Sequence, residues 1–177
     1  MIRVRRALFS AYHKEWLLPL AREVARHGAQ LVSSGGTAAF LRDAGLTVMT
    51  VEEITGFGSL FGGRVKTLHP LIHGGILFRR DDAEDARMAA DAGIEGIDLV
   101  VVDLYPFGSA LDRRLGDSET IELIDIGGPA LVRAAAKNHR HVAVVTRSDD
   151  YEPVRLALER GAGALEESFA AGLAARA

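Results

Sequence analysis

Cysteine is missing altogether from the 177 residues, which excludes disulfide bonds, thiolate catalysis and cysteine-ligated zinc, and fits a reducing compartment such as the cytoplasm. No apolar run approaches the length of a membrane span. The opening Met1 to Ser10 is basic but meets Tyr12, His13, Lys14 and Glu15 before any apolar stretch long enough for a secretion signal. Positive charge is not in surplus either. With 21 lysines and arginines against 24 aspartates and glutamates the formal charge is -3, so the chain as a whole has no attraction for nucleic acid or a membrane surface, and a small anion would need a local basic pocket. What is present is the balance of a folded soluble domain, 48% apolar and 25% charged residues. The length suits one domain, expected to span residues 1–177, with no repeat, low-complexity tract or linker.

Apolar runs of strand length alternate with helical patterns. Ala7 to Phe9, Ala29 to Val32, Leu46 to Val51, Asp98 to Leu104 and His141 to Val145 read as strands, the last of them closing the sheet. Trp16 to His27, Thr37 to Ala44, Asp82 to Asp91, Glu119 to Asp125, Pro129 to Lys137 and the alanine-rich tail from Tyr151 to Ala177 read as helices, the tail being interrupted at Gly161 and Gly163. The run Leu99 to Val102 does not alternate, so it is expected to be buried on both faces. This order predicts an α/β fold with a mostly parallel sheet covered on both sides, and such sheets bind ligands beyond the carboxyl ends of their strands.

Four segments at those ends carry polar chemistry. Ser33-Ser34-Gly35-Gly36-Thr37 leaves a strand and opens a helix, where free N–H groups and the helix dipole favour an anion; a simple helix cap is the other reading. Gly62-Gly63-Arg64-Val65-Lys66-Thr67-Leu68-His69-Pro70 sets two cations and a hydroxyl on a glycine-hinged loop, which is either a solvated basic loop or a nucleotide clamp. Asp103-Leu104-Tyr105-Pro106-Phe107 leaves the buried strand, where Tyr105 either packs or faces a ligand. Ile124-Asp125-Ile126-Gly127-Gly128-Pro129 places an acid before a glycine break, and Lys137 ends the helix that follows; helix capping and a favourable dipole contact account for these two residues equally well. His69 and His73 stand four apart, but Pro70 lies between them and no third ligand is near, so no metal is expected.

These segments, in this order, resemble the inosine monophosphate cyclohydrolase domain of the bifunctional purine biosynthesis enzyme that also carries a formyltransferase domain. The resemblance rests on Gly63 to Pro70 with His73-Gly74-Gly75, on Leu104 to Phe107, and on Ile124 to Gly128 with Ala134 to His139, and it covers nearly the whole chain. It implies a methylglyoxal-synthase-like, three-layer α/β/α sandwich. It implies closure of 5-formamidoimidazole-4-carboxamide ribotide to inosine monophosphate with loss of water, without a cofactor. Carried over residue by residue, the family pattern makes Lys66 the stabiliser of the formyl oxyanion. It makes Lys137, with Tyr105 and Asp125, the proton-transfer group. The substrate-binding shell becomes Ser10, Lys14, Ser34, Gly35, Gly36, Thr37, Arg64, Thr67, Asp103, Ile126 and Gly127. A homodimer and a separate formyltransferase polypeptide are the partners implied.

Two departures from the family pattern bear on binding. The usual Ser-x-Ser-Asp-Lys-Thr-Gly is Ser10-Ala11-Tyr12-His13-Lys14-Glu15-Trp16 here, and Asp103 stands where asparagine is typical. Phosphate binding is therefore expected to lean on Lys14, Arg64 and the Ser34 to Thr37 turn. The alternative reading is a nucleotide-binding paralogue or regulatory sensor of the same fold with little turnover. A methylglyoxal synthase is a weaker rival, since its carboxylate-base motif is not found in the chain.

Overall fold

The computed structural model of the chain describes residues 1–104, 108 and 116–177. Tyr105, with Pro106 and Phe107, lies outside the described residues. Five parallel strands form the central sheet: β2 (Arg6–Ala11), β3 (Gln30–Ser33), β4 (Val48–Thr50), β5 (Leu99–Asp103) and β6 (Ala143–Val145), in the order β4-β3-β2-β5-β6. The chain builds outward from β2 to β4 and then returns to the other side of β2, so the strand order reverses between β2 and β5. A crevice at the carboxyl ends of those strands follows from that reversal.

Successive side chains on a strand point to opposite faces, and the sheet accordingly carries two cores. Ala7, Phe9, Leu31 and Val101 pack against α1 (Leu17–Arg26), α2 (Gly35–Asp43) and, through Val154 and Leu158, α8 (Tyr151–Arg160). Leu8, Val32, Val100 and Val102 pack on the other face with α3 (Val51–Thr55), α4 (Pro70–Leu77) and α7 (Gly127–Lys137). Leu99 to Val102 are each at most 1% exposed, so the non-alternating run is buried on both faces as its sequence requires. The result is an α/β/α sandwich. The described residues also form the α-helices α5 (Ala83–Asp91), α6 (Asp117–Glu122) and α9 (Glu167–Arg176). Among the described residues no helix is long and apolar enough to cross a membrane.

Three local features depart from the sequence reading. The strand at 141–145 is not the last, because Ala164–Leu165 (β7) pairs antiparallel with Ile2–Arg3 (β1) through Ile2 and Leu165; strands of two residues have no periodicity to detect. The strand expected to reach Val51 stops at Thr50, whose hydroxyl accepts the Glu53 N–H while the Glu53 carboxylate accepts the Thr50 N–H, a capping box that starts α3 instead. Helix α4 was hidden by the pair Gly74-Gly75 at its centre. His69 caps it, Pro70 opens it, and the glycines let it lie against Ile94 and the Glu95 carbonyl.

Candidate active site

The crevice at the β2–β5 reversal holds a cavity of 430 Å³. The end of β2 gives it Ser10, the start of α2 gives Ser34, Gly35 and Gly36, the 62–67 loop gives Arg64, Lys66 and Thr67, and the segment entering α7 gives Asp125, Ile126 and Gly127. Two helix N-termini therefore face one space. At α2 the N-cap Ser34 makes no capping bond with its side chain, so its hydroxyl is available to a ligand. Gly35 has φ +51, and a Cβ built on it would lie 2.9 Å from Lys66 Nζ; the position requires both the left-handed backbone and the empty space. At α7 the Asp125 carboxylate accepts the Gly128 N–H at 2.8 Å, and a Cβ on Gly128 would collide with that carboxylate.

Two cations of the cavity, Lys66 and Arg64, are matched with acids. Lys66 Nζ stands 3.7 Å from a Glu52 carboxylate oxygen, both side chains being about three-quarters buried or slightly less. Arg64 donates to Glu122 across the cavity mouth, and that bond holds the guanidinium above its ordinary pKa. Lys14 donates to the Tyr12 carbonyl at 3.1 Å, and its Cε is 3.9 Å from where a Cβ on Gly36 would stand. An anion at the Gly35-Gly36 amides would thus meet Lys14 and Lys66, with the dipole of α2 behind it. A second group near Asp125 would meet a carboxylate already aligned by a backbone donor.

Several expected site residues sit elsewhere or are spent on structure. Thr37 is buried, and its hydroxyl donates to the Ala11 carbonyl and accepts the Ala11 N–H, tying α2 to β2. Thr67 is also buried, lying against Gly127 and so joining the 62–67 loop to α7. Asp103 is not among the residues lining the cavity, and its carboxylate accepts both the His13 backbone N–H at 2.7 Å and His13 Nδ1 at 3.0 Å. The two positions that depart from the family pattern therefore bond to each other. Lys137 lies at the far end of the 11-residue α7, about 15 Å from Gly127 at 1.5 Å rise per residue. It lines a separate groove with His73, Leu77, Ala130 and Arg133. One chain does not bring Lys137 to Lys66 and Asp125. His69 Nδ1 accepts the Leu71 N–H, so this histidine caps α4. His73 Nε2 is buried with no partner among the described residues, and burial holds its pKa below the ordinary histidine value.

Glu52 and Glu122 were not anticipated. Each acts on a cation far away in sequence, so no local spacing announces it. Glu52 could be found only once α3 was placed beside the 62–67 loop.

The MGS-like domain family matches residues 16–130. The Bifunctional purine biosynthesis protein PurH of Cereibacter sphaeroides (strain ATCC 17029 / ATH 2.4.9) is 52% identical over 174 residues, covering 98% of this chain and 33% of that protein. The protein of the same name from Mesorhizobium japonicum is 49% identical over 177 residues, covering 100% and 33%. This chain spans about a third of the length of these relatives. Among solved structures, the crystal structure of ForH superposes with a TM-score of 0.81 at 36% identity, covering 98% of this chain and 90% of that one.

Proposed function

The chain belongs to the MGS-like domain family, and from that premise we propose that it closes 5-formamidoimidazole-4-carboxamide ribotide to inosine monophosphate in purine biosynthesis. The observation that carries this reading is the meeting of Lys66, the α2 N-terminus and Asp125 in one cavity at the sheet's reversal point. The name shared by the relatives supports the pathway.

A carboxamide nitrogen is a poor nucleophile, so its attack on the formyl carbon needs proton removal and a donor for the developing oxyanion. Both reacting groups already sit on one ring, and holding them in the reactive rotamer is a large part of the work. In our reading the 5′-phosphate rests on the Gly35-Gly36 amides with Ser34 and Lys14. Lys66 then faces the formyl oxygen, and Asp125, held by the Gly128 N–H, takes part in moving the amide proton. Supplying the formamido ribotide to the whole chain, with a chelator present, and following the ultraviolet change on ring closure tests this. Turnover is expected. Binding of inosine monophosphate without turnover would favour the sensor reading.

Lys137 enters this reading only from a second copy. The solvent face of α7 carries Ile126, Ala130, Arg133 and Lys137, a stripe at helical spacing. Two such helices packed antiparallel across a two-fold axis set Ile126 beside the partner's Lys137 and Ala130 beside the partner's Arg133. The cation then arrives next to Asp125. Mixing Lys66→Ala with Lys137→Ala protein, each inactive alone, is expected to restore about a quarter of wild-type activity, because half the dimers are mixed and each has one intact site. No recovery on mixing would rule out a Lys137 supplied by the second copy.

A further inference from the structure

At the opposite edge of the sheet, where the strands begin, a cleft of 280 Å³ is lined by Arg3, Arg5, Arg80, Asp98, Arg140 and His141. In a chain whose formal charge is -3, this is a local concentration of positive charge. Its one acid is already spent. One Asp98 carboxylate oxygen accepts the N–H groups of Arg5 at 2.9 Å and Arg6 at 3.1 Å, and the other stands 3.5 Å from Arg80. Arg80 is equally committed, donating to the carbonyls of Gly75, Phe78 and Ile97 with its guanidinium 4.2 Å over the Phe78 ring. Arg3 gives one N–H to the Ala162 carbonyl, and His141 faces Asp81.

Arg5 and Arg140 are different. Both are exposed, and among the described residues neither guanidinium makes a hydrogen bond or an ion pair. The carboxylate nearest in effect to Arg140 is Glu167, which is itself held by the Met1 amino group. Two guanidiniums without a hydrogen bond or ion pair therefore line the same cleft as the fixed Arg80–Asp98 pair, and each offers the forked donor geometry that suits phosphate oxygens.

We propose that this cleft is a second anion site that takes a small polyphosphate group, with Arg5 and Arg140 as its donors. Its volume suits two or three linked phosphates, and the negative charge of the chain disfavours a long polyanion. The site is distinct from the cavity described above, since β2 and β5 begin at one and end at the other, about 17 Å apart along the six residues of β2. The inference does not depend on the proposed reaction.

Calorimetric titration of the whole chain with inorganic triphosphate at low salt tests it, comparing wild type with Arg5→Ser/Arg140→Ser and with Lys14→Ala. The double variant is expected to lose about tenfold or more in affinity at one site, with inosine monophosphate binding unchanged. Lys14→Ala is expected to keep that site. Both arginines are exposed, and an unaltered melting curve, checked also in Arg140→Ser alone, separates loss of the site from loss of the fold. The proposal is overturned if triphosphate does not bind, or if its binding survives in the double variant. It is also overturned if a single-stranded oligonucleotide binds more tightly than triphosphate with the same arginine dependence.

Discussion

Both edges of the sheet collect cations, and they hold them in opposite ways. At the carboxyl edge Lys66 and Arg64 sit on a glycine-hinged loop, each facing a glutamate, Glu52 or Glu122. At the amino edge Arg80 is anchored on backbone carbonyls and the Asp98 carboxylate, while among the described residues the Arg5 and Arg140 guanidiniums make no hydrogen bond or ion pair. A ligand arriving at the first edge exchanges one partner for another, so the free energy of meeting a phosphate is partly offset by the pairs it breaks. A ligand at the second edge breaks no ion pair. The first arrangement suits turnover, because a site that binds ground state and product too tightly gains nothing in rate. The second suits simple occupancy.

The largest effect that sharpens this contrast is expected from Lys66→Ala, which should lower kcat by about 100-fold or more while inosine monophosphate binding changes little. Stopped assays and a binding isotherm on the same protein check it. A loss confined to KM would make Lys66 a binding residue and erase the difference between the two edges.

A smaller effect is expected from Glu52→Gln. Removing this carboxylate frees Lys66 for the base portion of the bound substrate, so KM should fall by about two- to fivefold, the scale of a partly exposed ion pair. The kcat should fall with it, because Lys66 is then drawn toward the ground state. Unchanged KM in steady-state kinetics would show that the Glu52 contact has no hold on Lys66.

These two residues also show what the sequence could and could not disclose. The place of Lys66 at the crevice was legible because its loop, from Gly63 to Pro70, sets two cations and a hydroxyl beside glycines at the carboxyl edge of the sheet. The five parallel strands were legible from apolar runs such as Leu99 to Val102. Glu52 was not, because it meets Lys66 only through the packing of α3 beside the loop. The place of Lys137 was not legible for the same reason: the family pattern pairs it with Asp125, whereas within one chain the 11-residue α7 separates them. Helix α4 and the β1–β7 pair were missed because internal glycines and two-residue strands carry no usable period.

The smallest effect concerns His73, beside Lys137 in the α4–α7 groove. Burial lowers its pKa in the folded chain, so the unfolded chain takes up the proton first as pH falls. The stability contributed by neutral His73 is complete above the ordinary histidine range and is lost on acidification below about pH 6.5. In His73→Leu that component of acid sensitivity should vanish, narrowing the drop in melting temperature between about pH 7.5 and pH 5.5 by on the order of 2 °C. An identical drop in the variant would show that the imidazole is solvated in the folded chain. The groove would then be open to water and less suited to covering by a second copy.

The contrast between the edges comes down to where a purine nucleotide lands. A crystal structure of the whole chain with inosine monophosphate is the direct measurement. The account predicts the 5′-phosphate on the Gly35 and Gly36 amides beside Lys14, with the base lying between Lys66 and the Asp125 to Gly127 segment and the Glu52 carboxylate displaced from Lys66. A nucleotide found at the Arg5 and Arg140 cleft, with the upper cavity empty and Lys66 still beside Glu52, would contradict it.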